Sequence, residues 1–284
     1  MTASDTRGSS VINFCPTGMI PTKTMTPHVP VSPTEIIEQT HEAYELGITI
    51  AHLHARDDDG LPTSAPEVYN KIVRGLRKHC PKLVLCLSTS GRNTPEFEKR
   101  SAVIELQPDM CSLTLGSLNF VQQASVNSPE MIVRLAEKMK RYGVKPELEC
   151  FNLGMINYGK YLLKKGILEG PCYWNLLFGN INGYQSDISH IAAALRDIPK
   201  GHQVALGGLG HHQATTVATA VIHGYGVRIG LEDNIYRDSY KKILGTNMDQ
   251  VKMIHKLLDL TQRTWMRPEE FGNLGFYNCN RQTK

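Results

Sequence analysis

Two histidines separated by one residue, in Ala51-His52-Leu53-His54-Ala55-Arg56, stand between the apolar run Ile48-Thr49-Ile50-Ala51 and the turn-forming Asp57-Asp58-Asp59-Gly60. Residues two apart share a face of a strand, so both imidazoles project to the same side at its carboxyl end. Two neutral imidazoles aimed at one point make a seat for a divalent metal. On their own they serve equally well as rings satisfied by carbonyls at a strand end, and a carboxylate from elsewhere must decide. Other groups able to do chemistry also end or follow apolar runs: Ser88, Ser112 and Thr114, Glu149, then Glu232 and Asp233.

The elements that must position these groups alternate regularly. Strands are expected at 11–15, 48–55, 83–88, 110–114, 145–151, 173–178, 203–206 and 226–230, with helices between them. Ser32-Pro33-Thr34-Glu35 is a capping box with proline in the first turn, and Ser64-Ala65-Pro66-Glu67 reads as a second one. Eight strand–helix pairs in about 250 residues is the arithmetic of a closed (β/α)₈ barrel, an α/β fold that builds its site at the carboxyl ends of the strands. A glycine fingerprint after the first strand, which an open doubly wound sheet would carry, is absent. Residues 1–10 are expected to be a disordered arm, 11–262 the barrel, and 263–284 an aromatic extension packed on the barrel or on a neighbouring subunit.

Composition narrows the function classes. The chain has 284 residues, is 41% hydrophobic and carries a net charge of +4 without a basic cluster, which argues against nucleic acid. No stretch is long and apolar enough to cross a membrane, and the polar start lacks the core of a signal peptide, so a cytoplasmic protein is expected. The seven dispersed cysteines read as reduced, buried thiols. Barrel closure brings the end of strand eight near that of strand two, which lets Glu232 face His52 and His54. Two histidines and a glutamate with open positions suit catalytic zinc, and Fe²⁺ or another divalent metal uses the same ligand types.

Several short motifs then acquire a meaning together. Pro16-Thr17-Gly18, His52-Leu53-His54-Ala55-Arg56-Asp57, Leu87-Ser88-Thr89-Ser90-Gly91, Ser117-Leu118-Asn119-Phe120, Pro146-Glu147-Leu148-Glu149 and Arg228-x-Gly230-Leu231-Glu232-Asp233-Asn234 follow in the order and spacing of the β-keto acid cleavage enzymes. Over residues 11–262 the chain resembles that family of zinc-dependent barrels. The resemblance implies conversion of a β-keto acid and acetyl-CoA into acetoacetate and a new acyl-CoA, in a homo-oligomer, a tetramer. It also implies that His52, His54 and Glu232 hold the zinc, that Asp233 is the general base, and that Arg228 orients it. Ser88 and Ser112 match hydroxyl positions of the family's substrate pocket, Ser112 standing where the family has threonine. Thr17, Gly18, Ile20, Thr114 and Glu149 complete the expected substrate contacts. Arg228, deeper in the barrel, could equally neutralise Glu147 or Glu149, and the two roles are compatible.

One departure bears on substrate. Members acting on an amino-bearing keto acid place a glutamate after Thr-Gly-Ala, whereas this chain has Thr17-Gly18-Met19-Ile20. An aliphatic wall offers no partner for an ammonium, so a substrate without a positive charge is expected. Gly208 and Gly210, before the helix at 213–223, could seat a CoA phosphate on backbone amides. The competing readings are a metal-dependent aldolase, a zinc hydrolase of the amidohydrolase type, and a metal-stabilised binding or scaffold barrel.

Overall fold

The computed structural model describes residues 9–281. Eight parallel strands form a closed barrel: β1 (Ile12–Phe14), β2 (Ile50–Leu53), β3 (Val84–Leu87), β4 (Met110–Thr114), β5 (Lys145–Cys150), β6 (Tyr173–Phe178), β7 (Gln203–Gly208) and β8 (Gly226–Ile229). Each pairs with the next in chain order, and β8 closes on β1 through Arg228 opposite Asn13. The main outer helices are α1 (Pro33–Leu46), α2 (Pro66–His79), α3 (Phe97–Ser101, continued by a 3₁₀ turn), α4 (Pro129–Arg141), α5 (Leu153–Lys164), α6 (Ile188–Asp197), α7 (Gln213–Ile222) and α8 (Asn247–Leu260). Among the described residues no helix is long and apolar enough to cross a membrane.

Helix starts follow the side-chain chemistry with one correction. Ser32 accepts from the Glu35 amide and Glu35 reaches back to the Ser32 amide, the reciprocal cap expected for α1. The second box does not form. Ala65 is the cap of α2 and makes no side-chain hydrogen bond, because Pro66 occupies the first helical turn and leaves Ser64 one position too early.

The barrel interior has two characters. At the amino-terminal mouth Val11, Ile50, Val84, Met110, Tyr173 and Ala205 form an apolar cluster with Met266, Phe271 and Phe276 from the chain's end. Phe271 stacks on Phe276 at 4.1 Å and meets Tyr173 edge-on at 5.6 Å, so the C-terminal segment stoppers the barrel from below. Residues 1–8 of the arm expected to be disordered lie outside the described residues. Its last two, Ser9–Ser10, are ordered: they pair in parallel with Thr264–Trp265, and the Ser10 carbonyl accepts from the Met266 amide. Above the apolar cluster the interior turns polar around Glu147, whose carboxylate is wholly buried.

Candidate active site

A cavity of about 250 Å³ opens at the carboxyl ends of the strands. His52 on β2 and His54 just beyond it both line this cavity, with Glu232 from the loop after β8. The two Nε2 atoms lie 3.2 Å apart, and Glu232 Oε1 is 3.3 Å from His54 Nε2 and 3.9 Å from His52 Nε2. Glu232 Oε2 is buried without a hydrogen-bond partner. Two ring nitrogens and a carboxylate with an orphaned oxygen, converging within 4.8 Å, fit a divalent cation in both number and donor type.

A second carboxylate fixes how His52 is presented. Glu147 Oε2 is 2.6 Å from His52 Nδ1, which leaves Nε2 for the cavity. Glu147 is itself held by Asn13 Nδ2 at 2.6 Å, Asn175 Nδ2 at 2.9 Å and the Cys86 thiol at 3.1 Å. A carboxylate behind a ligating histidine is the usual device for setting tautomer and ring orientation. Burial opposes a charge on His52, but Glu147 and Glu232 outweigh it and lift its pKa to about 9. At His54 burial dominates and lowers the pKa.

Arg228 joins the carboxylates. Its Nη2 is 2.6 Å from Glu232, its Nε 2.9 Å from Asp233 and its Nη1 3.4 Å from Glu149. Glu147 is 4.0 Å away, so the one guanidinium contacts Asp233 and the interior carboxylates alike. Adjacent acids are driven apart. Burial would raise the pKa of Glu232, but Arg228, His54 and His52 overcome it and hold the group well below the carboxylate range. For Asp233, burial and the Glu232 charge prevail over Arg228 and push the pKa up. Two adjacent carboxylates thus have opposite tendencies, Glu232 toward the anion and Asp233 toward holding a proton.

Asp233 reaches the cavity because the strand has ended. Gly230 at φ +146° breaks it, and a Cβ there would fall 1.9 Å from the Cys15 carbonyl oxygen, so only glycine allows this close crossing of β1. The Asp233 amide then turns back to the Gly230 carbonyl.

Of the other expected site residues, Ser88, Ile20, Thr114 and Glu149 line the cavity, and the Thr114 hydroxyl donates to Glu149 at 2.7 Å. The structure places five elsewhere. Ser112 lies below the cavity, where its Oγ accepts from the Thr89 amide, so it supports the Ser88 loop instead of facing substrate. Thr17 is buried outside the lining. Gly18, at φ +63°, packs under Glu232, whose Cγ would be 2.4 Å from any added Cβ, and its carbonyl receives Arg56. Of the two glycines assigned to a CoA phosphate, Gly210 spends its amide on the Asp233 carbonyl, and Gly208 packs against the backbone of His212 and Gln213, where a Cβ would not fit.

Sequence reasoning passed over Asn13, Asn175, Phe120 and Arg92. The first two had a signal, a lone polar residue within the apolar strands Val-Ile-Asn-Phe and Tyr-Trp-Asn-Leu-Leu-Phe. Phe120 had only its place in a motif already noticed, and Arg92 only its position directly after another.

A family profile described as beta-keto acid cleavage enzyme matches residues 10–274. A 3-oxoadipate:acetyl-CoA acetyltransferase of Cupriavidus necator is 34% identical over 231 residues, 80% of this chain and 81% of that one. A 3-keto-5-aminohexanoate cleavage enzyme of Fusobacterium nucleatum is 33% identical over 252 residues, 88% of this chain and 91% of that one. Among solved structures, the apo form of ObcA has the same fold, with a TM-score of 0.76 at 18% identity over 89% of this chain; this chain spans 66% of ObcA. With the profile running from just before β1 into the C-terminal segment, and relatives of this identity over most of their length, the chain belongs to the beta-keto acid cleavage enzyme family.

Proposed function

We propose that this chain cleaves a β-keto acid against acetyl-CoA, yielding acetoacetate and a new acyl-CoA. The observation that carries the reading is one cavity in which Asp233, held by Arg228, stands beside the His52, His54 and Glu232 donor set. Family membership leaves the aldolase, amidohydrolase and scaffold readings without support. The cation we assign to the three donors is zinc, and when bound it supplies the positive charge that polarises a ketone oxygen and acidifies the neighbouring carbon.

The residues of the chain divide the remaining work. Asp233 takes the proton from the carbon between ketone and carboxylate, and its raised pKa brings its basicity closer to that task. Arg228 holds Asp233 chiefly through Nε and Glu232 through Nη2, which also reaches Asp233 Oδ1 at 3.4 Å, so one guanidinium keeps the base and the donor carboxylate in fixed relation. Ser88 accepts the Ser90 amide at its Oγ, which leaves its hydroxyl hydrogen for a substrate oxygen. The carbanion attacks the acetyl thioester and expels CoA thiolate. The thiolate attacks the original ketone carbon, the bond to the former α-carbon breaks, and Asp233 returns the proton to the acetoacetate released. Met19 and Ile20 wall the cavity where the amino-accepting relatives carry a carboxylate, which supports a substrate without a positive charge.

The test is α-proton exchange in deuterium oxide together with mass detection of acyl-CoA products. Wild-type protein loaded with zinc exchanges and forms acetoacetate, and Asp233→Asn loses both while keeping its zinc. Exchange that persists in Asp233→Asn, or no acyl-CoA from any β-keto acid, defeats the reading.

A further inference from the structure

Three arginines besides Arg228, namely Arg56, Arg92 and Arg100, lie in the segments that follow β2 and β3, and they are partnered differently. Arg56 donates to the carbonyls of Gly18, Pro21 and Gly60. Arg100 donates to the carbonyls of Thr89 and Val126 and to Asn127 Oδ1. Arg92 has no such satisfaction. Its guanidinium carbon sits 3.6 Å from the centroid of the Phe120 ring, and its Nε is buried with no hydrogen-bond partner. Among the described residues it makes no ion pair, although it lines the same cavity as Asp233.

Stacking on an aromatic face holds the guanidinium plane without consuming its donors. Arg92 is half-buried and feels Glu232 and Glu149 at a distance without pairing with either, so its donors stay open to an anion, and planar carboxylates are the groups the guanidinium fork matches. Position says which carboxylate. The ketone and the carboxylate next to it must lie at Asp233 and the donor set, at the strand ends. Arg92 is four residues beyond Ser88, and Phe120 sits on the short hairpin Leu118–Asn119/Ala124–Ser125 after β4. Both line the cavity with Met19, Ile20 and Leu118 from the loops, whereas the other charged lining groups, Glu149, Arg228, Glu232 and Asp233, stand at or just beyond the ends of β5 and β8.

We infer that the substrate carries a second carboxylate at the end remote from the ketone, making it a 3-oxo dicarboxylate, and that Arg92 stacked on Phe120 binds it. The inference rests on the cleavage reading above and sharpens it: the Met19–Ile20 wall refuses a cation, and Arg92 selects an anion.

The experiment compares kcat/KM for a 3-oxo dicarboxylate and for the 3-oxo monocarboxylate of equal chain length, at saturating acetyl-CoA. Wild-type protein is expected to favour the diacid at least tenfold, Arg92→Met to remove that preference, and Arg92→Lys to keep part of it. Calorimetric titration with glutarate, an unreactive dicarboxylate, reads the same site without turnover, with binding in wild type lost in Arg92→Met. Should Arg92→Met fail to fold, Phe120→Leu carries the test, with a rise in KM confined to the diacid. A wild type that does not prefer the diacid overturns the inference. So does an Arg92→Met that lowers both acids by one factor, or one that raises the KM of acetyl-CoA alone. Turnover of neither acid by wild type defeats the cleavage reading instead, while glutarate binding still reports on Arg92.

Discussion

Replacing Glu147 by glutamine removes one charge and adds two donors at a point where four donors already converge. Oε1 accepts from Asn13 and Asn175, and Oε2 faces His52 Nδ1 and the Cys86 thiol. The new amide group has two settings. With its NH₂ toward the asparagines, donor opposes donor twice in a wholly buried space, and each orphaned group costs about 1–3 kcal/mol. With its NH₂ toward His52, the ring must accept at Nδ1, which moves the remaining proton to Nε2 and blocks the nitrogen that faces Glu232. Loss of the carboxylate behind a ligating histidine costs roughly 10–100-fold in metal affinity, or about 1.4–2.7 kcal/mol. Zinc affinity measured by competition with a chromophoric chelator at neutral pH is therefore expected to fall by that factor in Glu147→Gln. Nitrogen NMR of His52 should show the tautomer shifting with it. A variant that binds zinc as tightly as wild type, with His52 unchanged, refutes the claim that Glu147 sets the ring.

Three further outcomes follow from the geometry. Gly18→Ala drives a Cβ into the Glu232 side chain at a left-handed backbone position, which costs about 1–2 kcal/mol in backbone energy alone; zinc titration should show weaker binding and thermal melting a lower midpoint. Phe271→Ala removes a fully buried ring between Phe276 and Tyr173, and urea unfolding should lose about 3–5 kcal/mol. As the proposed base, Asp233 would work only when ionised, so kcat/KM is expected to be lost as pH falls through its pKa. Because burial, aided by Glu232, raises that pKa, the acid limb should lie above the ordinary aspartate value of about 3.9. An Asp233→Glu profile with the same limb would assign it to another group.

What the sequence made legible was whatever depends on local periodicity. Strand–helix alternation led to the barrel, His-x-His parity put two imidazoles on one face, and closure of β8 on β1 brought Glu232 to them. What stayed hidden depends on stagger between strands and on loop direction. Asn13 and Asn175 could be seen as misplaced polar residues, but that both serve Glu147 follows from the tilt of a closed barrel, which no single strand records. Gly18 and Gly210 looked like ligand-facing turns, and both are spent on internal crossings: one makes room for Glu232, and the other ties its amide to the Asp233 loop.

The polar middle explains the odd tail. A barrel usually fills its interior with apolar layers. This one places Glu147, its two asparagine partners, His52 and Arg228 there instead, a group stabilised by its mutual hydrogen bonds and by exclusion of competing water. With the carboxyl-end mouth left open as the cavity, that exclusion must come from the opposite end. Met266, Phe271 and Phe276 close the amino-terminal mouth over the lowest barrel layer, and Ser9–Ser10 pair with Thr264–Trp265 to hold the closure in place. Opening this closure, as in Phe271→Ala, is therefore expected to admit water beneath Glu147 and to loosen the ring of His52 from below, which nitrogen NMR of His52 would read.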